Sequence, residues 1–142
     1  MKTIRVTEEW QRAGMHYVRT QAMCIGFGVP LEMEFEGDTP EDKYILVFDG
    51  IKPVSACRLR LTDSETGKVE RVATLAEYRG QHYGSAAIAE AERWLADLGA
   101  KRVQINSRTA SVGFYEKLGY TPDYTQLSGS GDFTCVMTEK AL

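Results

Sequence analysis

The segment Arg79–Ser85, with the sequence RGQHYGS, holds residue types and spacings that could bind an anion. It follows a predicted strand and leads into a predicted helix. The first N–H groups of a helix have no intrahelical partners and carry partial positive charge, glycines allow a diphosphate to come close, and an arginine adds a fixed cation. Glycines at such a place are also typical of an ordinary turn. The segment therefore predicts a pyrophosphate-binding turn, with a simple connection as the alternative.

A second segment, Ser111–Tyr120, lies about thirty residues downstream and has the sequence SVGFYEKLGY. It is predicted to form a short helix over 109–118 that carries Tyr115. A phenol can donate a proton. The alternative for Tyr115 is aromatic packing on an amphipathic helix.

Glu70, on the strand that leads into the turn, is a candidate general base. An alkylammonium group has a pKa near 10 and must lose a proton before it can act as a nucleophile. Glu70 could accept that proton, or it could be a strand-surface carboxylate paired with Arg58 or Arg60. His16 is a second candidate, and a water relay needs no single residue.

An acidic segment between residues 31 and 42 could attract a cationic amine. Its alternative is a solvated surface loop with one helical turn.

The pattern of apolar residues and turn signals predicts ten elements in the order β-α-β-β-β-α-β-α-β-β, an α/β sandwich with a mixed sheet. The predicted strands are 2–6, 44–48, 53–61, 68–74, 101–106, 120–127 and 133–139. The predicted helices are 8–24, 82–98 and 109–118, and the first is expected to bury Ala13 and Tyr17. Asp49-Gly50 is the strongest hairpin signal.

Composition is that of a globular protein, with 43% hydrophobic and 26% charged residues among 142, which predicts a single domain over 1–142. A net charge of −3 argues against a nucleic-acid partner. No apolar run approaches the length of a membrane span, so we expect no signal peptide, no membrane anchor and a cytoplasmic location. The three cysteines, Cys24, Cys57 and Cys135, are interpreted as small apolar residues rather than disulfide or metal ligands.

The turn and the FYEKLGY helix, at this separation, resemble the motifs of the GCN5-related N-acetyltransferase (GNAT) superfamily. The resemblance covers nearly the whole chain and is closest to small bacterial YjcF- and ElaA-like members. Supporting segments are Tyr17-Val18-Arg19, Val29-Pro30, Asp49–Val54, Arg58–Arg60 and Glu70–Val72. The resemblance implies a GNAT-like, V-split mixed sheet flanked by helices.

The resemblance also implies acetyl-CoA as the acetyl donor, a primary amine of a small molecule or peptide as the acceptor, and no metal. Tyr115 matches the tyrosine that protonates the departing thiolate. The residues that the resemblance places at the cofactor are Val72, Ala73 and Thr74 for pantetheine, Arg79, Gly80, Gln81, His82, Tyr83, Gly84 and Ser85 for the pyrophosphate, and Asn106 for a polar contact to the pantetheine arm.

Two departures from the family pattern keep a second function open, that of a catalytically silent acyl-CoA-binding or sensor module. His82 stands where the family turn has a glycine, and a positive φ there would cost about 1 kcal/mol. Met23 and Gly26-Phe27 replace residues that relatives carry near the acceptor side. A nucleotide-binding protein is disfavoured because the turn lacks the Lys-Ser/Thr pair of a P-loop.

An acetyl-cysteine route through Cys57 or Cys135 is disfavoured because neither has an evident histidine base. Homodimers are common among similar proteins, and the C-terminal strands could supply such an interface.

Overall fold

The computed structural model describes residues 1–142. Its strands are β1 (Lys2–Arg5), β2 (Lys43–Asp49), β3 (Lys52–Leu61), β4 (Thr66–Thr74), β5 (Arg102–Arg108), β6 (Thr121–Ser128) and β7 (Cys135–Ala141). Its α-helices are α1 (Glu9–Arg19), α2 (Leu31–Glu34), α3 (Tyr83–Asp97) and α4 (Val112–Lys117). A π-helical segment, Thr20–Ile25, continues α1, and single 3₁₀ turns occupy Ala76–Tyr78, Thr109–Ser111 and Gly131–Phe133. No helix is both long enough and apolar enough to cross a bilayer.

One seven-stranded sheet has the order β1-β2-β3-β4-β5-β7-β6. The predicted hairpin between β2 and β3 is confirmed: Asp49 pairs with Lys52, and Gly50 in the turn has a φ of 60°. All neighbouring strands are antiparallel except β4 and β5. That parallel pair is joined by α3, as a parallel connection requires. The mixed sheet and the predicted order of the ten main elements are confirmed.

The parallel pair is joined along only half of its length. The β4–β5 ladder runs from Thr66 opposite Arg102 to Val69 opposite Ile105 and then stops. Both strands continue, β4 to Thr74 and β5 to Arg108, without pairing with each other. Beyond Val69 the two strands therefore diverge, and this is the V-split that the family resemblance implies.

A bulge on the other edge of β4 marks the start of the divergence. The register with β3 shifts between Ala56 and Arg58, and Arg71 of β4 has a φ of 52°. Non-glycine residues seldom adopt this left-handed conformation, and a bulge bends its strand. The bulge thus accompanies the point where β4 leaves β5.

Helices cover both faces of the sheet. On one face, α3 packs Ala87, Ile88, Ala91 and Leu95 against the sheet in a core that also includes Tyr115. On the other face, α1 and its π-helical continuation pack Met15, Val18 and Ala22 into a second core.

The predicted buried face of the first helix is wrong. Ala13 is exposed and Tyr17 is 41% exposed, whereas Met15 and Val18 are fully buried. The apolar pattern of the sequence does not identify the buried face, because that face carries a buried arginine, Arg19, while the exposed face carries large apolar side chains such as Trp10. The π-helical turn after Arg19 also changes the periodicity before the helix ends.

Candidate active site

The free edge of β4 faces the space left by the divergence. Its residues Val72, Ala73 and Thr74 lie beyond the last β4–β5 pair, and on their other side Ala73 and Thr74 pair with Ala56 and Ser55 of β3. Backbone groups of this segment that point toward β5 have no strand partner. Such an edge can hydrogen bond to an extended, amide-containing chain.

Asn106 lies on the opposite wall, as the first β5 residue past the ladder. Its side chain is exposed and donates to the Ser128 hydroxyl at 3.2 Å. The structure therefore places Asn106 across the cleft from the β4 edge, where its amide group is open to solvent.

The turn before α3 presents free backbone donors. Gly80 and His82 have φ values of 75° and 71°, so the positive φ considered for His82 is present. The first amide of this helix with a backbone carbonyl partner is that of Ala86, which donates to His82 O at 3.0 Å. The N–H groups of Tyr83, Gly84 and Ser85 precede it and make no such bond. Together with the helix dipole they form an anion-binding N-terminus.

Gly84 allows this N-terminus to lie close to the cleft. A Cβ built at Gly84 would be 3.3 Å from Thr74 Oγ1 and 3.5 Å from Phe114 Cζ. The start of α3 thus contacts the end of β4 and a side chain of α4. Of the other turn residues, Gln81 donates to Glu77 O at 2.9 Å and is exposed.

The guanidinium of Arg79 lies at the end of the cleft. Its Nε donates to Thr74 O at 3.3 Å, and its Cζ is 5.5 Å from the centre of the Phe27 ring. Arg108, from the end of β5, lies 5.1 Å from the same ring. Sequence reasoning missed Arg108; its only signal was its place two residues after Asn106.

Tyr115 is 7% exposed and packs edge-on against Phe114 and Tyr120, with ring centres 5.0 and 6.1 Å away. Its hydroxyl makes no hydrogen bond to another protein group. Burial raises its pKa well above the usual value, and the nearby thiols of Cys57 and Cys135 act in the same direction. The phenol is therefore protonated at neutral pH and holds a proton that it can donate.

Cys57 is not arranged as a nucleophile. It is fully buried, and burial raises its thiol pKa to about 12. Its Sγ donates to the carbonyl of Ala87 at 3.8 Å and lies inside the core that α3 covers. A reactive cysteine needs a thiolate and access to substrate, and Cys57 has neither.

Glu70 is surrounded by cations. Arg58 donates to one carboxylate oxygen from Nε at 3.0 Å and from Nη2 at 2.7 Å, while Arg60 and Lys68 contact the other oxygen at 3.0 and 3.3 Å. Burial alone would raise the pKa of Glu70, but the hydrogen bond and charge of Arg58 outweigh it and lower the pKa. These contacts favour the ion-pair alternative, and its role as a base stays a prediction.

Two carboxylates of the acidic segment, those of Glu34 and Asp38, form ion pairs with buried arginines. Arg19 is fully buried; its Nε contacts Glu34 at 2.9 Å, and its other nitrogens bond to Asp38 and to the carbonyl of Glu34. Asp38 also binds Arg58, so the ion pairs continue to Glu70. The solvated-loop expectation is wrong for Glu34 and Asp38 because both balance buried arginines.

His16, the second candidate base, is exposed and lies edge-on to Phe35 at 5.2 Å. Partial burial lowers its pKa, and the charges of Arg19 and Arg12 lower it further.

Similarity to known proteins identifies the class to which this protein belongs. A match to the Acetyltransferase (GNAT) family covers residues 4–120, and the chain belongs to that family. It is 36% identical over 120 residues to the uncharacterized N-acetyltransferase YjcF of Bacillus subtilis (strain 168). The aligned region covers 84% of this chain and 85% of that relative.

Solved structures share the fold. Escherichia coli ElaA superposes with a TM-score of 0.80 at 18% identity, over 99% of both chains. The PaiA N-acetyltransferase of Thermoplasma acidophilum, solved in complex with coenzyme A, has a TM-score of 0.76 at 12% identity, over 100% of both chains.

Proposed function

We propose that this protein transfers the acetyl group of acetyl-CoA to a primary amine by direct attack of the amine. The observation that carries this proposal is the position of a free helix N-terminus at the open end of the β4–β5 cleft. Family membership supports the reaction class, and the coenzyme A bound to PaiA supports the donor.

The residues along the cleft fit the three parts of such a donor. The unpaired edge at Val72–Thr74 would hydrogen bond to the amides of a pantetheine arm, with Asn106 on the facing strand. The N–H groups of Tyr83, Gly84 and Ser85 would bind the pyrophosphate, with Gly80, Gln81 and His82 shaping the turn. Arg79 would supply a cation after its guanidinium moves from the ring of Phe27. When bound, the donor supplies a thioester carbon for the amine to attack.

Tyr115 would protonate the thiolate that leaves. Its raised pKa keeps the phenol neutral, and its hydroxyl has no protein acceptor that would compete for the proton. An acid of this kind contributes about 10²- to 10⁴-fold to a rate. Solvent in the open cleft would take one proton from the ammonium group before attack and a second from the nitrogen as the amide forms, and Tyr115 would recover its proton from solvent. Glu70 is the candidate base for the first of these proton transfers.

The Tyr115→Phe variant tests this role. We expect CoA to bind as in the parent protein, because the hydroxyl makes no structural hydrogen bond, and we expect acetyl-CoA-dependent thiol release to fall at least about 100-fold. The matched control is Tyr120→Phe, since Tyr120 contacts Tyr115 but donates to Glu92 at 2.7 Å and has no assigned role.

Two outcomes would contradict parts of the proposal. Undiminished thiol release in Tyr115→Phe would remove Tyr115 from the mechanism. CoA binding by the parent protein without acetyl transfer to any amine would instead support the alternative, a silent acyl-CoA-binding module.

A further inference from the structure

Arg108 is held in a fixed orientation at the end of β5. Its guanidinium lies close to two aromatic rings, 5.1 Å from the centre of Phe27 and 5.0 Å from the centre of Phe133. Its Nε donates to the carbonyl of Asp132 at 2.9 Å. The two rings and the hydrogen bond from Nε restrict the side chain without using its terminal nitrogens.

The two terminal nitrogens of Arg108 make no hydrogen bond to the protein, and no carboxylate lies within ion-pair distance. By contrast, the buried Arg19 is held by two acidic residues and the buried Arg58 by three. A guanidinium has five N–H donors in a fork that matches a carboxylate or phosphate. Arg108 therefore presents four of those donors, already oriented, to a ligand.

The surroundings place this fork at the end of the cleft, between the segment after the first helix and the β6–β7 connection. Phe27 follows the π-helical segment, and Phe133 belongs to the β6–β7 connection, which is tied to the end of β5 by the bond from Thr109 N to Thr134 O at 2.9 Å. Cys135 pairs with Arg108 in the ladder and lies close enough to Tyr115 to raise its pKa. The fork, at the end of β5, is thus near the tyrosine, and it shares the ring of Phe27 with Arg79 of the pyrophosphate turn.

A cavity of about 350 Å³ adjoins the same aromatic ring. Its lining includes the apolar side chains of Tyr17, Ile25, Phe27 and Leu75 together with the polar and charged side chains of Gln21, Glu77 and Arg79. Tyr17 and Ile25 come from the end of the first helix, where a π-helical turn changes the direction in which the side chains point. Such turns are frequent at functional sites. The cavity could hold the apolar body of an acceptor while the Arg108 fork binds its charged group.

We propose that Arg108 selects acceptor amines that carry a negatively charged group, a carboxylate or a phosphate, over neutral amines and polyamines. This rests on the proposed function and names the substrate class for the same site. Because Glu34 and Asp38 are committed to buried arginines, the acidic segment offers less attraction to a polycation than its sequence indicates.

The test compares matched amines in the thiol-release assay: phenylalanine against phenethylamine, O-phosphoethanolamine against ethanolamine, and spermidine as the polycation. We expect kcat/KM to favour an anionic member of a pair by about tenfold or more, the usual effect of hydrogen bonds to a charged group. In Arg108→Gln that preference should fall toward one, and Arg108→Lys should keep part of it. The control is Arg102→Gln, at the other end of β5, which should keep the full preference.

Binding measurements separate this proposal from the one on which it rests. Calorimetry should give the same CoA affinity for Arg108→Gln as for the parent protein, and N-acetylphenylalanine should bind the CoA complex more tightly than N-acetylphenethylamine. Three results would overturn only the anion proposal: equal use of neutral and anionic amines with normal CoA binding, preference for spermidine, or loss of CoA affinity in Arg108→Gln. If no amine reacts, equal or absent binding of the two acetylated compounds overturns the anion proposal. Absence of CoA binding by the parent protein would overturn both proposals.

Discussion

Replacing Glu70 by glutamine distinguishes a general base from a structural ion pair. The carboxylate is 13% exposed, and Arg58, which is 9% exposed, donates to it twice. Hydrogen bonds between charged groups contribute about 1.5–3 kcal/mol each, while the more exposed Arg60 pair contributes at most about 1 kcal/mol. Arg58 keeps Asp38 as a partner in the variant. We therefore expect Glu70→Gln to lose about 2–4 kcal/mol of unfolding free energy.

The pH dependence of that loss follows from the lowered pKa of Glu70. A depressed folded-state pKa stabilises the fold above the unfolded value of about 4.3, and this contribution disappears as the pH falls through the folded value. Urea unfolding should therefore show a constant difference between the parent protein and Glu70→Gln from pH 8 to about pH 5. The difference should shrink below pH 4.

The matched control is Glu65→Gln, since Glu65 is 48% exposed and pairs with Lys101 at 3.3 Å. It should lose less than about 1 kcal/mol. The kcat/KM of Glu70→Gln should keep the pH profile of the parent protein. A variant of unchanged stability whose turnover falls about 100-fold or more would refute this reasoning and identify Glu70 as the base.

Three further substitutions test the buried ion pairs and the pyrophosphate turn. Arg19→Met should lower the unfolding free energy by about 3–5 kcal/mol in urea titrations, because Glu34, which is 2% exposed, loses its partner. Adding Glu34→Leu should recover much of that loss, and an unchanged unfolding midpoint for Arg19→Met would contradict the account. His82→Gly should raise the free energy of unfolding by up to about 1 kcal/mol by relieving a positive φ, and a clear loss would show that the histidine has a stabilising contact. Gly84→Glu should weaken CoA binding at least about tenfold in calorimetry, because its Cβ crowds Thr74 and its carboxylate repels phosphate. Gly113→Glu, where an added Cβ meets nothing within 4 Å, is its control, and equal affinities would count against the turn.

The elements with strong local signals could be predicted from the sequence. The Asp49-Gly50 hairpin and the start of α3 follow from turn chemistry and hydrophobic period, which act over a few residues. The positive φ of His82 agrees with its place in the motif, where the family has glycine. Local signals of this kind also located the cleft-lining strand and the tyrosine helix.

The features missed from the sequence depend on contacts between distant segments. Burial of Arg19 requires Glu34 and Asp38, fifteen and nineteen residues away, and no local pattern shows that a charged residue will be paired inside. The same ion pairs leave the carboxylates of Glu34 and Asp38 unavailable to bind an external cation. Arg108 gained its orientation from Phe27 and Phe133, which lie in two different connections. Sequence periodicity carries no information on contacts between residues that are distant in the chain.

Isothermal titration of the purified protein with acetyl-CoA tests the central claim most directly. The account predicts saturable binding of one molecule per chain with micromolar affinity, competition by CoA, and loss of binding in Gly84→Glu but not in Gly113→Glu. Absence of binding, or equal binding by both glycine variants, would contradict the assignment of the α3 N-terminus and the β4–β5 cleft as the donor site.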